Sequence, residues 1–367
     1  MQNILHPGLS EVFNELLTAG EGNEIYIRGG ESLGGMTLGE LAAARPEVIV
    51  LGLLKHHDAG WDVQLLAPSD SRIEPADRVV IMARDYSETE PDPKKGTLPE
   101  LERGQAVRVD RPADQVNHRV LVLGWNRRVP SLIAEFLSYG HRHFEVDLVS
   151  VVPKAEREQA IAQYVENADR LACRHIEADY MVEGELRRIG PAGYDTVILL
   201  SSDRLASGEE ADARAMVGYL QLEDILADFA RRPQLIMELS DPDNRHLLEG
   251  HQSEMMISPM ILSHVLAQVA LRRELQVVLD ELFTVGGAEI QFRAPEEYPL
   301  PASASFHVLE KTLAAEGEVA LGVYRARADD RGHRLQLNPP RGEYLELQPG
   351  DRLVVLAVTT DEAASSL

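Results

Sequence analysis

The sequence predicts an α/β protein in which a doubly wound parallel sheet is flanked by two copies of a small α+β lobe. Predicted strands and helices alternate from residue 118 to 257, and a glycine turn follows the first of these strands. The stretch Val12–Arg28 is nearly repeated at Val278–Arg293, which indicates a duplicated module. The predicted domains are a first small lobe (1–85), a linker (86–117), the parallel-sheet lobe (118–257), a connector helix (258–282) and a second small lobe (283–367).

The composition is that of a globular protein that repels anionic partners. The chain has 367 residues, of which 44% are hydrophobic and 26% charged, and its formal net charge is −24. This charge argues against nucleic acid and anionic lipid surfaces as partners. The sequence has no apolar run of the roughly 18 residues that a membrane span needs, no signal peptide and one cysteine, Cys173. We therefore expect a cytoplasmic protein without disulfides or direct membrane insertion.

The first small lobe contains a helix followed by strands of a sheet. Thr37 and Glu40 have the spacing of a capping box, which predicts a short helix that begins at Leu38. The segment Tyr86–Asn117, rich in Pro, Glu, Lys and Asp, is typical of a linker between domains. The other predicted elements of the lobe are the helix Ser10–Leu17 and the strands Glu24–Arg28, Val48–Leu54, Val63–Leu65 and Asp77–Ala83.

The parallel-sheet lobe opens with strand, turn, helix and strand over His118–Pro153, which is the first βαβ unit of a Rossmann-like domain. Asn126 and Val129 stand where the dinucleotide fingerprint G-x-G-x-x-G has its second and third glycines. Their side chains would hinder a pyrophosphate, and the strand Glu145–Val152 ends without the acidic residue that binds a ribose. The sequence therefore argues against NAD. Further strands are predicted at Cys173–Glu177, Thr196–Ser201 and Gln234–Leu239, and helices at Ala155–Tyr164, Val182–Ile189 and Ala211–Phe229.

The second small lobe repeats the first over most of its length. PADRVVIMA at Pro75–Ala83 corresponds to PGDRLVVLA at Pro349–Ala357, and Phe306–Ala315 corresponds to the capped helix of the first lobe. The apolar pattern of Ser258–Leu282 predicts the connector helix and leaves an internal break open. We expect this helix to join the lobes and to form part of a contact between subunits.

Carboxylates recur where the strands of the parallel sheet end. They are Asp179 after the third strand, Asp203 after the fourth, and Glu238, Asp241 and Asp243 at the fifth. Ligand sites in open α/β sheets lie at this edge, and clustered carboxylate and carbonyl oxygens suit Ca²⁺. The sequence therefore predicts a Ca²⁺ site formed by these five residues. An alternative stays open, in which the D-P-D-N segment that begins at Asp241 only forms a turn and caps a helix.

Other polar clusters do not predict chemistry. Glu209, Glu210 and Asp212 open a predicted helix, where the helix dipole favours acidic side chains. The histidine pairs lack the H-E-x-x-H spacing of a zinc site, and the cysteine is distant from them in the sequence. The sequence has no P-loop, nucleophile elbow or Cys–His signature, so we expect no enzymatic activity.

Several motifs together resemble one known family. They are VLVLGWNRR in place of the glycine fingerprint, GNEIYI with the later GAEIQF, VILLSSD at Val197–Asp203, LNPP at Leu337–Pro340, and the strands DRVVIMA and DRLVVLA. A Rossmann-like lobe followed by a small α+β lobe is the plan of RCK domains, the regulators of conductance of potassium. The motifs resemble those of CASTOR/POLLUX ion channels, over about His6 to Ala357.

The resemblance implies a regulatory role. Channels of that family carry a membrane pore domain followed by two RCK units, whose gating rings are associated with Ca²⁺. The chain would then correspond to the cytosolic region from the first RCK C-lobe onward, without the pore, and four subunits would form a ring in the full-length protein. Two alternatives remain, a stand-alone soluble regulatory subunit of a K⁺ transporter and, less favoured, an NAD-dependent oxidoreductase.

Overall fold

The structure is a computed structural model that describes residues 4, 6–18, 20, 22–58, 60–90, 117–139, 143–165, 171–205, 207–248, 254–284, 286–330 and 332–358. The described helices are α1 (Leu9–Leu17), α2 (Leu38–Ala44), α3 (Val129–Ser138), α4 (Lys154–Ala162), α5 (Glu183–Ile189), α6 (Gly208–Leu226), α7 (Ser258–Leu271), α8 (Leu275–Phe283) and α9 (Phe306–Ala315). The described strands are β1 (Glu24–Gly29), β2 (Ile49–His57), β3 (Gly60–Leu65), β4 (Arg78–Ala83), β5 (His118–Leu123), β6 (Phe144–Ser150), β7 (Ala172–Glu177), β8 (Thr196–Leu199), β9 (Gln234–Leu239), β10 (Glu254–Ile257), β11 (Ala288–Arg293), β12 (Ser303–Ser305), β13 (Val319–Tyr324), β14 (Leu335–Leu337), β15 (Tyr344–Glu346) and β16 (Arg352–Val358).

These elements form two compact units. One unit contains the described residues of Met1–Ser10 and Arg111–Ser263, and the other contains those of Glu11–Asp110 and His264–Thr360. Both small lobes therefore lie in a single unit although the parallel-sheet lobe separates them in the sequence. Most of the predicted linker, residues 91–116, lies outside the described residues.

The first unit is built around a six-stranded parallel sheet with the strand order β10-β9-β8-β5-β6-β7. The side chains of Val120–Leu123 in β5 are all fully buried. Strands that helices cover on both faces have such continuous apolar runs. The chain proceeds from β5 outward to β7 and then returns to β8, so the direction of winding reverses beside β5. The predicted doubly wound sheet is confirmed, and β10, which no sequence pattern predicts, extends it at one edge.

Two antiparallel sheets in the second unit share one topology. Their strand orders are β1-β4-β2-β3 and β11-β16-β13-β14. Each sheet has a bulge at the equivalent place, before Gly52 in β2 and before Gly322 in β13. A Cβ atom at Gly52 would lie 2.3 Å from the carbonyl oxygen of Gln64, and one at Gly322 would lie 2.2 Å from that of Gln336. The duplication predicted from the sequence is therefore confirmed in three dimensions.

The two lobes also repeat a buried polar contact. Asp77 accepts a hydrogen bond from Lys55 Nζ at 2.8 Å, and Asp351 accepts one from Arg325 Nη1 at 2.9 Å. Each aspartate also accepts a backbone N–H from the turn that precedes the last strand of its lobe. Because a buried carboxylate is costly unless it is paired and hydrogen-bonded, these contacts fix the turn before β4 and before β16.

The LNPP motif joins the second lobe to the first. Asn338 has a positive φ of 47°, and its Nδ2 donates to the Glu47 carbonyl at 2.7 Å. Arg341 donates to the Val48 carbonyl at 2.6 Å and pairs with Glu310 at 2.9 Å. The hydrogen bonds to Glu47 and Val48 cross between the lobes, so this motif stabilises the pairing of the two repeats.

The connector predicted over 258–282 is two helices rather than one, because α7 and α8 are separated at 272–274. Arg272 donates to the Ile25 carbonyl at 3.1 Å, and its guanidinium lies 4.4 Å from the centre of the Tyr26 ring. Arg272 therefore fixes the break between the two helices on β1, and α8 packs on β11 with further contacts to β1 and β3.

Gly322→Ala is expected to destabilise the second lobe by about 1–3 kcal/mol, because the new methyl group would overlap the Gln336 carbonyl. Urea unfolding of the full chain measures the loss. Gly342→Ala is the matched control, since a Cβ atom there meets no other atom within 4 Å, and it should change stability by less than about 0.5 kcal/mol. Equal stability of the two variants would contradict the role assigned to the bulge.

His307 is expected to make the second unit less stable in acid. Burial, with the nearby charges of Arg341 and Lys311, lowers the pKa of His307 below its ordinary value. The unfolded chain therefore binds more protons than the folded chain, so the free energy of unfolding decreases as the pH falls below about 6.5.

Urea unfolding between about pH 7 and about pH 5 tests this contribution, which His307→Gln removes. The variant should show a flatter dependence on pH, although some dependence persists because burial also lowers the pKa of His175 in the other unit. His333→Gln, at an exposed position, should keep the slope of the original chain. A His307→Gln slope that matches this control would refute the assignment.

Candidate functional site

The turn after β5 carries the residues that replace the glycine fingerprint. Gly124 has a φ of +101°, and a Cβ atom there would lie 2.9 Å from the carbonyl oxygen that follows β8, so the turn requires glycine. Asn126 is only 1% exposed. Its Nδ2 donates to the Ser201 carbonyl and to Glu238 Oε2, both at 2.9 Å, and its Oδ1 accepts from the Arg128 N–H at 2.9 Å. A side chain thus stands in the position of the second glycine and joins the ends of β5, β8 and β9.

Two arginines of the same turn neutralise carboxylates. Arg128 Nη2 lies 2.6 Å from Glu238 Oε1. Arg127 donates to Asp203 Oδ2 twice, from its backbone N–H at 2.9 Å and from Nε at 3.1 Å. The side chains of Arg127 and Arg128 are 90% and 57% exposed, whereas that of Glu238 is 9% exposed. The acidic partner is therefore held in the protein while the basic partner reaches solvent, where it can leave at little cost.

A second polar cluster is centred on Asp212 in α6, which is fully buried. Its Oδ1 accepts from Ser201 Oγ at 3.0 Å and from the Ser240 N–H at 2.8 Å. Its Oδ2 accepts from the Asp241 N–H at 2.8 Å and from Asn244 Nδ2 at 3.0 Å. Hydrogen bonds to a carboxylate are stronger than neutral ones, so Asp212 fixes the loop after β9 against the loop after β8.

The structure brings four of the five predicted site residues to neighbouring strand ends. These four are Asp203 after β8, and Glu238, Asp241 and Asp243 in or after β9. Asp179 follows β7 at the far end of the sheet, where its Oδ1 lies 2.9 Å from Arg214 Nη2. Asp241 Oδ1 accepts the Asp243 N–H at 2.9 Å, which is the turn that the alternative interpretation of this segment requires.

At the carboxyl edge, Asp203, Glu238 and Asp241 each accept a hydrogen bond. In the part of the chain that the structure describes, no three His, Cys, Asp or Glu side chains form a group able to hold a metal ion. A cation would bind Asp203 or Glu238 only by displacing Arg127 or Arg128. These carboxylates can therefore exchange an arginine for another cation.

Asp212 and Ser201 organise this edge, and neither is among the predicted site residues. The charge pattern assigns Asp212 to the first turn of a helix, but its place on the buried stripe with Ala215, Tyr219 and Leu222 is a signal for an interior carboxylate. No local pattern marks Ser201, because its role depends on which strands are neighbours.

The fold matches that of a solved gating ring. The structure of the human SLO3 gating ring matches 98% of this chain and 74% of its own chain with a TM-score of 0.68, at 14% sequence identity. At this identity the match defines the fold alone. The fold is that of an RCK gating ring, as the order of lobes in the sequence predicts.

The particular relatives are the CASTOR and POLLUX ion channels. The family model described as Castor and Pollux, part of voltage-gated ion channel, matches residues 1–98. Ion channel CASTOR of Lotus japonicus is 24% identical over 91% of this chain and 42% of its own length. Ion channel POLLUX of the same plant is 24% identical over 81% of this chain and 35% of its own length. These matches confirm the resemblance, and they show that the chain spans less than half of the length of these relatives.

Over the residues that the structure describes, no helix is long and apolar enough to cross a bilayer.

Asp212→Asn is expected to lower the free energy of unfolding by about 1.5–3 kcal/mol, because an amide would replace a buried carboxylate that accepts from four donors. Glu209→Gln removes the same charge from the exposed first turn of α6 and should cost less than about 0.5 kcal/mol. Urea unfolding compares the two variants. Equal losses would show that Asp212 acts only through the helix dipole.

Proposed function

We propose that this chain is the ligand-sensing, cytosolic gating-ring region of a CASTOR/POLLUX-like cation channel. The observation that carries the proposal is the pair of duplicated lobes joined in one unit, in a chain whose curated relatives are ion channels. The relatives also favour a regulatory role over an enzymatic one. In the full-length protein, four subunits form a ring, and a pore domain outside this chain responds to it.

The ring acts by shifting between conformations. An effector changes their balance only by the difference between its affinities for them. An element with two alternative sets of partners is therefore needed. The turn after β5 can be such an element, because its exposed Arg127 and Arg128 can exchange Asp203 and Glu238 for other partners.

The effector in this proposal is Ca²⁺, bound at the carboxyl edge of the parallel sheet. Asp203 and Glu238 project from adjacent strand ends, and loop carbonyls supply further oxygen atoms of the kind that Ca²⁺ prefers. Arg127 and Arg128 act as internal cations that Ca²⁺ displaces. Asp241 and Asp243 complete the predicted set, and Asp179 joins it only if the far end of the edge moves.

The two alternative functions, an oxidoreductase and a stand-alone regulatory subunit, predict different properties of the carboxyl edge. An oxidoreductase needs room for a pyrophosphate at the turn where Asn126 is enclosed, so we expect no binding of NAD(H) in calorimetry. A stand-alone regulatory subunit would keep the proposed site. Pore helices encoded directly upstream in the same gene would exclude that alternative.

Calorimetric titration of the full chain with Ca²⁺ tests the exchange. Glu238→Gln should weaken Ca²⁺ binding by at least about tenfold, because it removes a buried carboxylate ligand and keeps the hydrogen bond to Asn126. Arg128→Gln should strengthen Ca²⁺ binding, because it removes the competing cation.

The control for this titration is Glu209→Gln, which removes an acidic side chain outside the site and should titrate like the original chain. If Arg128→Gln weakens Ca²⁺ binding, the arginine is not a competitor. If the original chain, Glu238→Gln and Asp203→Asn all behave alike, Ca²⁺ does not bind at this edge.

A further inference from the structure

A second polar site lies at the opposite, amino-terminal edge of the parallel sheet. A cleft of about 430 Å³ opens there, within the range of about 300–1,000 Å³ that small-molecule sites occupy. It is lined by Arg119, Glu145, Asp147, Ala172, Cys173, Arg174 and Tyr194. No sequence motif marks this edge, and none of these residues belongs to the carboxyl edge.

The cleft opens over the amino-terminal parts of two strands. It is lined there by Glu145 and Asp147 of β6 and by Ala172 and Arg174 of β7. Near the carboxyl ends of β5 and β6, Leu123 and Val149 belong to one apolar core with Leu186 of the seven-residue helix α5.

The floor of the cleft consists of charged side chains in register. Arg119 of β5 lies opposite Glu145 of β6, which lies opposite Ala172 of β7. In the next row, Asp147 lies opposite Arg174. The small side chain of Ala172 leaves the space that the cleft occupies, beside an ion pair in which Arg119 Nε is 3.4 Å from Glu145 Oε2.

The wall of the cleft is a hydrogen-bonded group formed by Asp147, Arg174 and Tyr194. Asp147 is 8% exposed, accepts from Arg174 Nε at 2.9 Å and also accepts from the Tyr194 hydroxyl. The Arg119 guanidinium lies 4.8 Å from the centre of the Tyr194 ring. Burial, followed by the hydrogen bond to Asp147, raises the pKa of Tyr194 to about 12, so its hydroxyl remains a donor. Burial also raises the pKa of Cys173 to about 11, so the thiol remains neutral and takes no covalent role.

Three polar atoms at the cleft keep unused bonding capacity. Arg119 Nη2, Arg174 Nη1 and Glu145 Oε1 make no hydrogen bond to any described residue. Both guanidinium groups contact Tyr194, so they lie at the same wall. Two guanidinium groups and two carboxylates balance the charge locally, in a chain whose net charge is −24.

We propose that this cleft binds a small zwitterion of the α-amino-acid type. Arg119 and Arg174 receive its carboxylate, Glu145 receives its ammonium group, and its side chain lies toward Ala172. A polyanion such as a nucleotide is disfavoured by Glu145, Asp147 and the charge of the whole chain. This site does not depend on the proposed Ca²⁺ exchange, because it shares no residue with it.

Calorimetric titration of the full chain with each of the common amino acids tests the proposal. Acetate and methylammonium are matched control ligands, since each carries one of the two charged groups. We expect saturable binding of at least one amino acid, and binding of each control ligand weaker by at least about tenfold. Acetate that binds as tightly as the best amino acid would show an anion site and overturn the proposal.

Variants of the lining decide whether the cleft is the site. Glu145→Gln should weaken binding by at least about tenfold, because the ammonium group loses its partner. Ala172→Leu, at an exposed position, fills the cleft and should abolish binding. Arg231→Gln removes an exposed arginine of the same unit outside the cleft and should bind like the original chain. The proposal would be overturned by unchanged binding in Glu145→Gln and Ala172→Leu, or by the absence of saturable binding of any amino acid. Melting temperatures measured without ligand verify that each variant is folded.

Discussion

The parallel-sheet lobe depends on satisfying the polar groups buried at its carboxyl edge. Parallel strands end together, so the loops after β5, β8 and β9 bring polar groups together at one edge, where Asn126, Ser201 and Asp212 are buried. Asn126 and Asp212 bond to these loops, and Glu238 takes its partners from the first turn. An unsatisfied group there would cost on the order of 1–3 kcal/mol, so these few side chains decide where the loops lie.

The two edges of the same sheet stabilise their charges in the same way. At the carboxyl edge, the side chain of Glu238 is 9% exposed and that of its partner Arg128 is 57% exposed. At the amino edge, the side chain of Asp147 is 12% exposed and that of its partner Arg174 is 64% exposed. Each carboxylate also accepts from a neutral side chain, Asn126 for Glu238 and Tyr194 for Asp147.

The duplicated lobes are alike in backbone and different where they meet. Leu66 and Asn338 occupy equivalent positions after β3 and β14, with positive φ values of 62° and 47°. This backbone conformation is uncommon for residues other than glycine, because the side chain is crowded against the backbone. Asparagine tolerates this conformation better than leucine, and the amide of Asn338 also reaches the Glu47 carbonyl in the other lobe. The pairing of the repeats is therefore asymmetric at this position, and Asn23 of the first lobe donates in turn to the Leu337 carbonyl.

The sequence by itself determined the doubly wound sheet, the duplicated lobes, the capping box at Thr37 and the loss of the glycine fingerprint, because these follow from local periodicity and from similarity along the chain. Only the tertiary structure decided the break between α7 and α8, the role of Asp212 and the cleft at the amino edge. Apolar periodicity reports which side of an element is buried and not which element covers it. Asn126 and Glu238 are 112 residues apart in the sequence, and only the order of the strands makes them neighbours.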